Sequence, residues 1–279
     1  MNEQARQYSF ICNKHGFTVS LLDGYNIIES IINIHNIGPH ALGYYNKTLL
    51  SSLQMLNYLK AGENLGFYID SEEPYFRYKI ELNFQGTFRT LLLPEEFEDF
   101  PTHLQGKCRI TKMMAGQATY TSIIELNEHP VDDIINEVIE KSYQVNSKIL
   151  VNPETRTSLM LTKLPPSNVN KKIEDFDDLD LETIQTQYAD LINNALNLQK
   201  TNVAEAEKLF SSFGLNYIGS KEVKFFCPCS KQRMINNLFT LPENDLEEIF
   251  HEKDSIEIRC DYCNTIYDIH KSEIHTDLH

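Results

Sequence analysis

Four of the six cysteines fall into two close pairs, Cys227/Cys229 and Cys260/Cys263, inside one 45-residue stretch from Phe225 to Ile269. Four sulfurs gathered in this way complete a tetrahedral Zn²⁺ site, because zinc takes thiolate ligands readily and its structural sites are four-coordinate. Cys260-Asp261-Tyr262-Cys263 is a C-x₂-C knuckle, in which two intervening residues let both sulfurs face one ion. Cys227-Pro228-Cys229 is tighter. On an extended chain its side chains point the same way, and Pro228 fixes its own φ and restricts Cys227 to extended backbone. A pair so close binds one ion, and without the ion it oxidises with little chain movement. With no secretory signal apparent, the cysteines are expected to be metal ligands or redox groups more than permanent disulfides. An iron site, cysteines that are merely buried, and a permanently closed structural zinc ribbon remain open alternatives on spacing alone.

Charge narrows the choice of partners. Asp and Glu outnumber Lys and Arg by 40 to 25, giving a formal net charge of -15. Backbone binding to nucleic acid needs concentrated positive charge, so no specific nucleic acid is expected. No apolar run approaches the length of a membrane span, and the N-terminus lacks a signal-peptide core, so the expectation is a cytoplasmic protein with no membrane partner. With 279 residues, 41% of them hydrophobic, the chain is long enough for a main domain plus a small one.

Read in order, the first 166 residues alternate strand and helix patterns. Tyr8 to Leu22 forms a strand pair broken at Lys14-His15-Gly16. Asp23 is a candidate N-cap for a helix to about His35, with Ile27, Ile28, Ile31 and Ile34 at helical spacing. Pro39 opens a second helix whose apolar face runs from Leu42 through Leu59. The period then shortens: Leu65 to Asp70, Tyr75 to Leu82 and Thr87 to Leu93 read as successive strands, with Phe67/Ile69 and Tyr78/Ile80/Leu82 on a buried face. Arg109 to Met114 and Thr119 to Leu126, joined around Ala115-Gly116, extend the sheet. Pro130 opens a helix to about Tyr143, and Ile149 to Val151 and Thr157 to Leu164 return to strand before Pro165-Pro166. The expected class is α+β, an N-terminal antiparallel sheet domain with packed helices over residues 1–166. Cys12 and Cys108, each without a close cysteine neighbour, read as core thiols.

Residues 167–223 differ in texture. An acidic run, Glu174, Asp175, Asp177, Asp178, Asp180 and Glu182, precedes two helical patterns, Leu181 to Leu198 and Val203 to Phe213. Their modest apolar faces describe a helical linker that is stable only against a surface it can cover. Residues 224–279 form the small zinc-binding module, with helices over Ser230 to Phe239 and Leu241 to Phe250 and a hairpin from Ile256/Ile258 through the second cysteine pair to Ile269. A module of this size buries little core, so the metal supplies much of its folding free energy.

These motifs resemble the 33-kilodalton heat-shock protein family of redox-regulated molecular chaperones. The likeness is carried by FFCPCSKQR, TLPENDLEEIF and IEIRCDYCNTIYDI in that order, and more weakly by YSFICNKHGFTVSLLDGYNII and YTSIIELNEHPVDDIINEVIEKSYQVNSKILV. The resemblance implies that Cys227, Cys229, Cys260 and Cys263 hold Zn²⁺ when reduced. It further implies that oxidation forms the disulfides Cys227–Cys229 and Cys260–Cys263, releases zinc, unfolds the linker and exposes apolar surface that holds unfolding client proteins without ATP. Family members dimerise when activated, so a homodimer is expected in that state, and no enzymatic turnover is implied. The chain departs from the family's glycine-rich turns at Tyr68-Ile69-Asp70-Ser71-Glu72 and Thr155-Arg156-Thr157-Ser158.

Three rival classes are open at this level. A constitutive chaperone with a purely structural zinc site uses the same residues, a zinc-ribbon nucleic-acid binder uses the Cys₄ spacing against the charge balance, and a thiol oxidoreductase uses C-x₂-C without a thioredoxin-like context. No phosphate loop, dinucleotide fingerprint or Ser/His/Asp set is present. His251, His270, His275 and His279 read as surface or tail residues, and His15, His35, His40, His103 and His129 lack metal-site spacing.

Overall fold

The computed structural model describes residues 5–114, 119–131, 134–165, 176–251 and 253–274. The Ala115-Gly116 junction, Pro166, Glu174, Asp175, His275 and His279 lie outside them. Two compact units are present, Met1–Phe225 and Phe226–His279.

The first unit begins with the hairpin β1 (Arg6–Cys12) and β2 (Phe17–Asp23), followed by α1 (Tyr25–Ile32) and α2 (Pro39–Leu53), which tightens into a 3₁₀ turn over Gln54–Tyr58. Then come β3 (Glu63–Ser71), β4 (Phe76–Asn83), β5 (Thr87–Leu93), β6 (His103–Met114) and β7 (Tyr120–Pro130). A short α3 (Ile134–Val138) runs into a π-helical turn over Ile139–Tyr143, and β8 (Ser147–Asn152) and β9 (Thr157–Lys163) follow. The linker contributes α4 (Leu181–Gln187), α5 (Ala189–Leu196) and α6 (Val203–Ser212), then β10 (Asn216–Glu222) and the two-residue β11 (Lys224–Phe225).

These strands make two sheets. One has the order β10-β1-β2-β9-β8 and the other β11-β5-β4-β3-β6-β7. Alternation along the five-stranded sheet explains why both of its faces are buried. Leu22 and Met160 point into a core shared with α1, α2 and the inner face of the six-stranded sheet, where Tyr45, Leu49, Phe67, Tyr78 and Ile80 are fully buried. Tyr8, Phe10, Cys12, Val19, Leu21, Leu159 and Leu161 point the other way, into a second apolar cluster closed by Ile184, Leu191, Ala206 and Phe210 of the linker helices. The linker therefore covers a sheet face that would otherwise be an extended apolar surface. Phe10 and Phe210 stack with centroids 4.0 Å apart and planes 5° from parallel. Capping defines the helices locally: Asp180 accepts from Thr183 N–H, and Asn202 with Glu205 forms a reciprocal capping box at α6.

Three local features differ from the sequence expectation. Asp23 closes β2, Gly24 is the N-cap of α1, and the helix ends at Ile32. The Asp23 carboxylate accepts from Tyr25 N–H at 3.1 Å and Thr201 N–H at 2.7 Å, so its polarity serves a tertiary contact as well as the helix start. Pro130, expected to open a helix, is also the last residue of β7; Val131 after it already has 3₁₀ conformation, and α3 follows from Ile134. Asn216–Glu222, read as linker, pairs antiparallel with β1 as an edge strand. Among the described residues no helix is long and apolar enough to cross a membrane.

The second unit contains α7 (Lys231–Leu238), α8 (Glu243–Ile249), the hairpin β12 (Ser255–Arg259) and β13 (Ile266–His270), and the final turn α9 (Lys271–Ile274). Among the described residues its core is small: Ile235, Leu238, Phe250, Ile269 and Ile274 are buried, with Met234, Phe239, Leu246, Ile256 and Ile258 partly buried against them.

Candidate metal centre

The four cysteines converge within the second unit from two backbone turns. Cys227 and Cys229 lie just before α7, whose N-cap Ser230 accepts through Oγ from Arg233 N–H, so the helix begins at once after the second sulfur. Cys260 and Cys263 occupy the turn of the β12–β13 hairpin. There Asn264 N–H donates to Cys260 O at 2.8 Å and Cys260 N–H to Thr265 O at 3.0 Å. Asn264 takes a left-handed φ of 57°, a conformation Asn tolerates, and its side chain accepts from Arg259 Nε at 2.9 Å. The bonds within this knuckle fix both thiols on one side of the turn.

All four Sγ atoms lie within 4.8 Å of one another. Cys227 Sγ is 3.7 Å from Cys260 Sγ, and Cys229 Sγ is 3.2 Å from Cys263 Sγ. A tetrahedral ion with bonds of about 2.3 Å to sulfur spaces its ligands about 3.8 Å apart, so the donor set and its dimensions fit a four-coordinate thiolate site. Cys260 is buried and the other three are half-buried, and Cys12 and Cys108 are buried in the first unit, apart from this cluster. His251 and His270 are exposed.

Burial pushes the Cys227 thiol up to about 12 and raises Cys260. Burial also opposes ionisation of Cys263, but hydrogen bonds with the Thr265 side chain and backbone, together with its contacts to Cys229 and Cys260, bring it down to about 7. One thiol thus ionises easily beside neighbours that resist, the balance a divalent cation redresses by neutralising several thiolates at once. Thr265 and Tyr267 are part of this environment, and motif spacing alone does not single them out. Cys263 Sγ lies 3.2 Å from Thr265 Oγ1, and Tyr267 Oη lies 3.0 Å from Cys229 Sγ. The hydrogen bond to Cys229 raises the Tyr267 hydroxyl to about 12. Thr265 precedes β13 and Tyr267 lies within it, and the left-handed Asn264 interrupts any alternation from Cys263, so no sequence period marks them.

The family profile described as Hsp33 protein matches residues 6–270. The chain belongs to the Hsp33 family. Among its relatives, a 33 kDa chaperonin of Aquifex aeolicus is 22% identical over 290 residues, covering 97% of this chain and 89% of the relative. A 33 kDa chaperonin of Agathobacter rectalis is 37% identical over 68 residues, 24% of each chain. The crystal structure of an HSP33 homolog, a 33 kDa chaperonin from Thermotoga maritima, superposes with a TM-score of 0.67 at 18% identity, over 98% of this chain and 97% of that one, a likeness of fold. Hsp33-family membership makes this chain a chaperone with zinc- and redox-associated function and not an enzyme, and its α+β domain, helical linker and C-terminal cysteine module follow the Hsp33 architecture.

Proposed function

We propose that the chain is an ATP-independent holdase that is quiet while reduced and zinc-loaded and captures unfolding proteins after its cysteines are oxidised. Residues 1–166 serve as the chaperone domain, 167–223 as the linker and 224–279 as the redox module. The observation that carries this reading is the convergence of four Sγ atoms within 4.8 Å in a unit whose own core is five residues.

Cys227, Cys229, Cys260 and Cys263 are the residues that hold Zn²⁺. The ion neutralises their thiolates and cross-links the two turns of the module. Oxidation by a peroxide converts one thiol of a pair to sulfenic acid with release of water. The partner thiol then displaces a second water and closes the disulfide, so each disulfide consumes one peroxide. The pairing is Cys227–Cys229 and Cys260–Cys263. In the folded cluster every sulfur is near every other, so proximity does not select partners, and this pairing is the one the resemblance to the Hsp33 family implies. With its sulfurs tied in pairs, the module loses the cross-link between its turns and unfolds. The linker helices then leave the sheet, exposing the apolar face of β1, β2 and β9 to clients, and the active form is a homodimer in the cytoplasm.

The test follows zinc release and protection of a heat-unfolding client enzyme across stepwise oxidation with hydrogen peroxide, with disulfides mapped by non-reducing peptide analysis. The expected result is one zinc released per chain in step with rising protection. Equal protection by the reduced, zinc-loaded protein and the oxidised, zinc-free one would overturn the switch and leave a constitutive chaperone with a structural metal.

A further inference from the structure

The segment between α5 and α6 is held on the five-stranded sheet largely by its main chain. The Tyr8 hydroxyl donates to Thr201 O at 3.0 Å, and Thr201 N–H donates to Asp23 Oδ2 at 2.7 Å. The Thr157 hydroxyl donates to Leu198 O at 2.7 Å, and the Thr155 hydroxyl donates to Leu196 O at 2.5 Å. Tyr8, Asp23 and Thr157 are 3%, 7% and 0% exposed. Polar and cationic side chains of the same segment meet the rest of the unit at its rim, in an exposed amide pair between Asn152 and Asn197 and in the Lys200 ammonium 4.4 Å from the centre of the Tyr25 ring. Leu196 and Leu198, whose carbonyls are held, rest their side chains against the apolar cluster of the sheet.

Main-chain carbonyl and amide groups are common to every polypeptide, so buried side chains that grip only those groups bind a chain whatever its sequence. We infer that Tyr8, Asp23, Thr155 and Thr157 form a main-chain clamp that, when the linker has left, holds a segment of unfolded client backbone in the linker's place, with the neighbouring apolar cluster taking its hydrophobic side chains. The ligand class is an unfolded polypeptide without sequence preference. The linker is then a built-in competitor for the same subsite, which gives autoinhibition and client capture one set of contacts. The inference rests on the proposed oxidative release of the linker.

The experiment measures binding of oxidised protein to fluorescein-labelled, reduced and carboxymethylated α-lactalbumin by fluorescence anisotropy. It compares the parent with Tyr8→Phe/Thr157→Val, which removes two donors at nearly constant volume, and with Thr155→Val at a half-buried position that leaves folding least affected. Asp23 is left intact because it also accepts from Tyr25 N–H at the start of α1. Each lost hydrogen bond is worth about a factor of 2–10. The expected result is about 5–30-fold weaker client binding by the oxidised double variant and a smaller loss for Thr155→Val, repeated with a second unfolded client of different composition. In the reduced proteins, hydrogen exchange at residues 196–201 is expected to speed up. Unchanged client affinity in both oxidised variants overturns the clamp. Failure of the oxidised parent to bind client at all overturns instead the oxidative holdase on which it rests.

Discussion

Glu63 shows how one side chain joins three parts of the first unit. It opens β3, accepts from Lys60 N–H at 2.7 Å and pairs with Lys112 of β6 at 2.8 Å. Burial works to raise its carboxyl, but the hydrogen bonds and charges of Lys112 and Lys60 outweigh it and hold the group below the usual carboxylate range. A carboxylate depressed on folding stabilises the fold above its unfolded value of about 4.3, and that stabilisation is lost as pH falls through the folded value. Glu63→Gln is therefore expected to cost about 1–2 kcal/mol at pH 7, read as a lower urea midpoint, with the difference from the parent shrinking at pH 3. At the same scale the clustering of Cys227, Cys229, Cys260 and Cys263 was the most legible part of the sequence, because it depends on residue type and short spacing. Thr265 and Tyr267 were less so, since a hydroxyl in a turn or a strand carries no mark of what it faces until the hairpin geometry is known. Asp23 is the converse case: an acid before a helical pattern satisfies the local rule for an N-cap, while its second bond goes to Thr201, 178 residues away.

At the level of elements, helices with a clear apolar stripe were legible and sheet order was not. Phe67/Ile69 and Tyr78/Ile80/Leu82 mark buried strand faces, but nothing local says that β3 pairs with β6 as well as β4, or that β1, β2 and β9 sit in a separate sheet. Strand β10 was not legible for a physical reason: it is an edge strand whose exposed positions, Asn216, Ile218 and Ser220, alternate with half-buried ones, so it lacks the continuous apolar signal of a buried strand. The linker helices were legible in outline, and what they cover became clear from packing. Phe210, fully buried and stacked on Phe10, anchors α6 to the sheet. Phe210→Ala is expected to remove about 3–5 kcal/mol from this packing. In reduced protein the amides of α4–α6 should then exchange faster, while those of β3 and β4 keep the protection of the parent, as measured by hydrogen–deuterium exchange with mass spectrometry.

For the whole molecule, the two units differ in what can hold them folded. The first has two apolar clusters, each built from many fully buried side chains around a sheet, whereas the second orders helices and a hairpin around five buried residues, Ile235, Leu238, Phe250, Ile269 and Ile274. With only Met234, Phe239, Leu246, Ile256 and Ile258 packed partly buried against them among the described residues, these side chains leave the small unit with little apolar burial to set against the conformational entropy of its chain. Structural zinc in small peptides supplies about 10–16 kcal/mol, enough to decide whether such a unit folds. Removing metal with a high-affinity chelator under fully reducing conditions, where no disulfide can form, separates loss of the ion from oxidation. The expected outcome, followed by amide exchange, is loss of protection throughout residues 226–274 with retention in β1–β9, and recovery when zinc is restored. Replacing Cys263 by Ser should produce the same loss at a much lower chelator concentration, because an alcohol is a far poorer ligand than the thiolate it replaces. A small unit that keeps full protection after chelation would show that its five-residue core suffices, and oxidation would then need a route to the linker other than unfolding of this module.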